Sequence, residues 1–189
     1  MKTNLAYQEE RREELIGGKV VMMAPASSNH NRIAENIDFL FRTYLKGKTC
    51  VPLGDGYNLY LDENNRVIPD FMILCDRSKI KEKGIYGAPD LVVEVLSRST
   101  AKNDKWYKKN LYEASGVPEY WIVDASHKSV EVYLLLDGRY TLDNLYTLYS
   151  AEELEDMTDE ERAALVTEFK CHLFDDLTIR LDDIFGDLF

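Results

Sequence analysis

An α/β (or α+β) architecture, a central mixed β-sheet flanked by helices, is what this sequence predicts, and three observations predict it. Strand-like and helix-like segments alternate through the middle of the chain. Leu91-Val92-Val93-Glu94-Val95-Leu96 is a nearly continuous apolar run of the length of a strand covered on both faces. Ile33, Ile37, Leu40, Phe41, Tyr44 and Leu45 recur at helical spacing and form one apolar stripe.

The elements follow in order. Residues 14–24 read as two short strands around the turn Gly17-Gly18. The breaker run Ala24-Pro25-Ala26-Ser27-Ser28 ends in helix-capping residues, and the striped helix follows to about Lys46, stopped by Gly47. Residues 57–61 and 66–74 are strands joined by the hairpin signal Asp62-Glu63-Asn64-Asn65. A charged loop over about 76–90 leads to the strand Leu91–Leu96. A second helix spans about Asn103 to Ser115, with Gly116 as its stop. Residues 119–124 and 129–136 are strands, and Asp137-Gly138 turns the chain into 139–148. Residues 150–170 differ in kind: Thr158 and Glu161 have capping-box spacing, which predicts a short acidic helix there. A last strand is expected over about 177–181.

The 189 residues suffice for one domain, residues 1–189, with the acidic helical insertion at about 150–170. Apolar residues make up 45% and charged residues 30%, the composition of an ordinary globular chain. No run approaches the roughly eighteen apolar residues of a membrane helix. The N-terminus turns polar and acidic at once without an apolar signal core, so the cytoplasm is the expected location and a membrane partner is not. Cys50, Cys75 and Cys171 are odd in number and far apart; they are expected to be small buried hydrophobes and not a disulfide framework or a zinc pair. His30, His127 and His172 lack metal-ligand spacing.

The net charge of -11 argues against a polyanionic partner until it is resolved along the chain. Residues 1–149 hold 20 Lys+Arg against 21 Asp+Glu, whereas residues 150–189 hold 3 against 13. Within the nearly neutral body, Arg77, Lys79, Lys81 and Lys83 form one basic cluster, and Arg98, Lys102, Lys105, Lys108 and Lys109 another. Each follows one of the two strands that carry an anomalous acid, so Arg77, Lys79, Arg98, Lys102 and Lys105 are candidate nucleic-acid contacts; two solvated surfaces would explain them equally.

The anomalous acids are Glu94, inside the buried run, and Asp70, inside Arg66-Val67-Ile68-Pro69-Asp70-Phe71-Met72-Ile73-Leu74. An unpaired buried carboxylate costs several kcal/mol, so it is normally paired, neutralised or bound to metal. Pro69 cannot donate to a ladder and suggests a bulge or an edge, which can re-aim a side chain. A buried salt bridge would explain one such acid. Two on neighbouring strands repel, and a divalent cation relieves the repulsion; carboxylates with carbonyls and waters suit Mg²⁺, with Mn²⁺ as a substitute. On the following helix Tyr107, Leu111 and Ala114 share a face at 100° per residue, with Lys108 at its edge and Tyr112 one turn further. Lys108 is thus aimed at the core side, where it either snorkels to the surface or serves the two acids. His30, in the first turn of the first helix, is either a structural histidine or a catalytic one.

These residues resemble the PD-(D/E)XK nuclease superfamily: Pro69-Asp70, then Glu94-Val95-Leu96, then a helix with Lys108 and Tyr112. The stretch 89–124, Met22 to His30, and Phe174-Asp175-Asp176-Leu177 are similar to the Uma-type restriction endonuclease family. The resemblance implies a restriction-endonuclease-like fold and Mg²⁺ held by Asp70, Glu94 and the main-chain carbonyl of Val95. It also implies catalytic duty for Lys108, Tyr112 and His30. One departure stands out: the superfamily lysine falls two residues after the glutamate, where this chain has Leu96, and Lys108 on the helix takes its place.

The expected reaction is metal-assisted hydrolysis of nucleic-acid phosphodiesters, DNA foremost, by a homodimer with one site per strand. One alternative is a catalytically silent nucleic-acid-binding or regulatory module with the same fold, against which Glu94 itself argues. Another is a Mg²⁺ hydrolase of a different phosphoester. A third has the acidic helix folding over the site as a nucleic-acid mimic.

Overall fold

Pro69 is where the chain changes sheets. The computed structural model describes residues 12–96 and 104–189, with the side chains of 104 and 105 outside that description. In it the segment expected as one strand over 66–74 splits into Asn65–Val67 and Phe71–Leu74, which belong to different sheets. Proline cannot donate to a ladder, so pairing breaks there. The Ile68 N–H, left without a strand partner, donates to Glu14 Oε1 at 2.8 Å.

The hairpin β1 (Glu13–Ile16) and β2 (Lys19–Met22) turns at Gly17-Gly18, both at positive φ. Helix α1 (Ser28–Tyr44) starts at Ser27, whose hydroxyl accepts from the His30 N–H, and buries Ile33, Ile37 and Phe41 of the predicted stripe. Then come β3 (Val51–Gly54), β4 (Leu59–Asp62), β5 (Asn65–Val67) and β6 (Phe71–Leu74). The charged stretch expected as a loop holds a 3₁₀ turn (Arg77–Lys79) and a small hairpin, β7 (Ile80–Lys81) and β8 (Gly84–Tyr86). Strand β9 (Leu91–Leu96) and helix α2 (Asp104–Ser115) lead to β10 (Glu119–Asp124), β11 (Ser129–Leu136) and β12 (Arg139–Thr147). The acidic stretch forms two short helices, α3 (Ala151–Glu155) and α4 (Asp159–Ala163), each opened by a capping box. The chain ends in β13 (Glu168–Lys170), β14 (Thr178–Arg180) and α5 (Leu181–Phe185).

The central sheet runs β12-β11-β10-β9-β6-β3, antiparallel except for β9 and β10, which α2 joins as a parallel crossover. A second sheet, β2-β1-β5-β4-β8-β7, packs on the α2 side. Alternation along each strand sorts the side chains into two cores. On one side Leu91, Val93, Val95, Phe71 and Trp121 meet α1, with Phe41 stacked on Phe71 at 5.2 Å between centroids. Phe169, Ile179 and Ile184 of the C-terminal segment close this core. On the other side Val92, Met72, Ile122 and Tyr120 meet Tyr112 of α2 and Leu59, Val67 and Ile85 of the second sheet.

Cys50 and Cys75 form a disulfide, contrary to the expectation of free thiols. Cys50 directly precedes Val51 and Cys75 directly follows Leu74, which pair across β3 and β6; strand register, which the spacing of 25 residues does not reveal, brings them together. Cys171 is free and buried. Among the described residues no helix is long and apolar enough to cross a membrane.

Glu119 shows a buried acid put to structural use. Its carboxylate accepts from Trp121 Nε1 at 2.8 Å and from the N–H groups of Leu173 at 2.9 Å and His172 at 3.3 Å. It therefore pins the C-terminal segment to β10. Glu119→Gln keeps the volume but turns an NH₂ towards these donors. It is expected to cost about 2 kcal/mol, measured by urea unfolding with an unchanged m-value.

Candidate active site

The register of β6 against β9 sets the site. Phe71 pairs with Val93 and Met72 with Val92, so one step further brings Asp70 beside Glu94. Asp70 Oδ2 accepts from the Val95 N–H at 2.7 Å and lies 3.3 Å from His30 Nε2, which α1 delivers from its first turn. Glu94 continues the alternation of Val92 and points to the α2 side. There Tyr112 Oη donates to its Oε1 at 2.6 Å, and Lys108 Nζ lies 3.1 and 3.2 Å from its two oxygens. Lys108 and Tyr112 are four residues apart, one helical turn, so a single face of α2 supplies both. Lys108 Nζ also lies 2.9 Å from Glu14 Oε1, the oxygen that caps the Ile68 N–H. Glu14, His30, Asp70, Glu94 and Lys108 are all buried.

Burial and pairing set the protonation tendencies. Burial pushes the Glu94 carboxyl up; Lys108 opposes this, and the nearby charges of Asp70 and Glu14 reinforce it. Burial alone would lower the Lys108 ammonium, but Glu94 and Glu14 outweigh it and hold the group above the ordinary lysine value. Burial raises the Tyr112 phenol, and Glu94 and Glu14 raise it further, so it stays a donor. For His30, burial acts downward while Asp70 acts upward and prevails.

The donor set fits a hard divalent ion. With Glu14, Asp70 and Glu94 all ionised, Lys108 protonated and His30 neutral, the formal charge is -2, the charge one such ion balances; burial and the neighbouring acids act against the ionised Glu94, and a bound cation would relieve that. Among the described residues no three His, Cys, Asp or Glu side chains are grouped to hold a metal. The groups that would hold such an ion are the carboxylates of Asp70 and Glu94, with the Val95 carbonyl that the resemblance implies. Mg²⁺ commonly takes one or two carboxylates and keeps several waters.

The structure brings Asp70, Glu94, Lys108, Tyr112 and His30 to one place. The basic clusters are different. Because β6 and β9 are antiparallel, Arg77 and Lys79, beyond the far end of β6, lie at the opposite end of the sheet from Glu94. Both are tied to main-chain carbonyls, Arg77 Nε to Thr49 and Lys79 Nζ to Ala88. Arg98 and Lys102 lie outside the described residues, as does the side chain of Lys105. The helix-face expectation also shifts: Tyr107 is exposed (55%), and the buried face is centred on Lys108 and Tyr112. Glu14 is the residue that the sequence reading missed. Its signal was its place in a short strand two residues before Ile16, on the same side of the pleat.

Comparison with known proteins places the family and the fold. The sequence profile of the Uma2 family, described as "Putative restriction endonuclease", matches residues 3–165. The uncharacterized protein slr1290 of Synechocystis is 30% identical over 133 residues, 68% of this chain and 70% of that protein. The uncharacterized protein sll1609 of the same organism is 28% identical over 139 residues, 71% and 78%. The crystal structure of a "putative nuclease belonging to DUF820" from Anabaena variabilis superposes with a TM-score of 0.65 at 15% identity, over 93% of this chain and 90% of that one. At that identity the likeness speaks for the fold.

The pairing predicts unequal costs. Lys108→Met strands Glu14 and Glu94 without their cation and is expected to lose about 3 kcal/mol in chelator. Glu94→Gln leaves Lys108 on Glu14 and is expected to lose less than about 1 kcal/mol. Urea unfolding in EDTA compares them, and equal stabilities for the two variants would refute the pairing.

Proposed function

Since the chain belongs to the Uma2 family of restriction-endonuclease-like proteins, we propose that it is a Mg²⁺-dependent endonuclease that hydrolyses phosphodiester bonds of DNA. The observation that carries the reading is the meeting of Asp70, Glu94 and Lys108 at one end of β9. A divalent cation bound there would supply an activated water and offset charge on the scissile phosphate.

The chain's own residues do the rest. Asp70 is fixed by the Val95 N–H and His30, so its orientation is set before substrate arrives. Tyr112 holds Glu94 in one rotamer. Lys108 keeps an ammonium beside these carboxylates, where it can donate to a phosphate oxygen as charge builds up in the transition state. The Lys/Arg-rich stretch 98–109, running from the Glu94 end of β9 into α2, would guide the polyanion, with an affinity that falls with salt. Arg77 and Lys79, at the far end of the sheet, are left out of that track. Among the described residues the chain holds one such cluster, so a homodimer would offer one site to each strand. Helices α3 and α4 bury none of their residues, which gives no support to an acidic helix packed over the site.

Supercoiled plasmid is expected to be nicked in Mg²⁺ or Mn²⁺ and spared in EDTA. Glu94→Gln is expected to lower the rate about a hundredfold or more. Single-stranded DNA and RNA, assayed in parallel, rank the substrate classes. Wild-type nicking by Glu94→Gln would remove the site from consideration.

A further inference from the structure

Lys108 has two carboxylate partners at nearly equal distance, Glu14 at 2.9 Å and Glu94 at 3.1 Å. The two partners differ in what else they do. Glu94 stands beside Asp70, the other acid of the reading above, by the register of β6 against β9, and carries the Tyr112 hydrogen bond. Glu14 comes from a different sheet. Its strand pairs with β2 over Glu13 to Ile16 and meets β5 at Leu15 and Arg66. Its Oε1 is also fixed by the Ile68 N–H. It is buried to within 4% of full cover, so its orientation does not depend on solvent.

A cation already resting on Glu94 competes with any second cation that needs the same oxygens. If Lys108 had only Glu94, a divalent ion would have to displace the ammonium into an apolar core, and Asp70 and Glu94 against Lys108 would present a formal charge of only -1. Glu14 changes both quantities. It gives the ammonium a counter-ion of its own and brings the cluster to -2. Resting on the metal reading of Asp70 and Glu94, we propose that Glu14 is a positioning residue that retains the Lys108 ammonium and so leaves Glu94 available to a divalent cation. Lysine and metal ion then occupy the site together, one held by β1, the other by the ends of β6 and β9.

Mn²⁺ alone, without nucleic acid, is the probe, and its binding to the full chain is followed by electron paramagnetic resonance or titration calorimetry. Glu14→Gln keeps an oxygen for the Ile68 N–H but removes the charge; its Mn²⁺ affinity is expected to fall about tenfold or more. In Glu14→Gln/Lys108→Met the competing ammonium is gone and the charge returns to -2, so the affinity is expected to recover to within about threefold of wild type. A role confined to supporting the fold predicts no such recovery. Unchanged affinity in Glu14→Gln overturns the proposal, as does a double variant that binds no better than the single one. If Glu14→Gln does not fold, the wild-type chain carries the test. The ¹⁵N resonance of the Lys108 ammonium is expected to persist when Mg²⁺ is added, and its loss to solvent exchange overturns the proposal. Failure of the wild-type chain to bind Mn²⁺ at all is a different result, which removes the metal reading itself.

Discussion

The ammonium of Lys108 between the carboxylates of Glu14 and Glu94 is the constraint on which the arrangement rests. Each ion removed from water costs several kcal/mol, and that cost is recovered only when partners and hydrogen bonds are well placed. Here the partners come from three separate elements: β1 of the second sheet, β9 of the central sheet, and α2. The ion cluster thus fixes how those elements dock, while the apolar contacts around it, Val92, Ile122 and Tyr120 against Tyr112, Leu59 and Ile85, supply the stabilisation that lets charges stay buried.

The two faces of the central sheet divide the work. Leu91, Val93 and Val95 face α1 and its aromatic neighbours Phe41, Phe71 and Trp121, an apolar interface whose buried polar groups, His30 and Glu119, stand at its margins with partners of their own. Val92 and Glu94 face the side on which polar groups gather. The neighbouring strand provides a contrast. Glu119 on β10 is as buried as Glu94 on β9, and the two strands are paired in register. Yet Glu119 is surrounded by N–H donors, which satisfy a carboxylate permanently, whereas Glu94 faces a cation and a second acid. An acid inside an apolar strand therefore reports only that some partner exists. The kind of partner separates a brace from a reactive centre.

What could be read in advance followed from period and punctuation. The helix ending near Gly47, the run 91–96 and the turn at Asp137-Gly138 are local features, and local chemistry decides them. Lys108 was legible because it lies at the edge of the face drawn through Tyr107, Leu111 and Ala114, near enough to the buried face to be aimed at the core side. Tyr107 was misread because amphipathic pattern on a short helix leaves the burial face uncertain by about one residue's rotation, or 100°, and the true face is polar at Lys108. Glu14, the second sheet and the Cys50–Cys75 link depend on which strands pair across long separations. No periodicity encodes that choice; the break at Pro69 marked that pairing changes without saying where the chain goes next.

A lysine on α2 in place of one on β9 has a mechanical consequence. Two residues after Glu94 stands Leu96, on the same side of the strand, so a lysine there would reach the same space from the sheet itself. Delivered from a helix, the ammonium arrives together with the side chain one turn later, and Lys108 and Tyr112 both bind one carboxylate. A lysine at position 96 would instead share its strand with Glu94 itself, and no second donor on another element would come with it. The gain is a more firmly oriented Glu94. The accompanying demand is that α2 be held in place, since a shift of the helix would withdraw both donors at once. Glu14 meets that demand from the far side of the ammonium, which is why a residue of a peripheral hairpin belongs among the groups that set the geometry of this site.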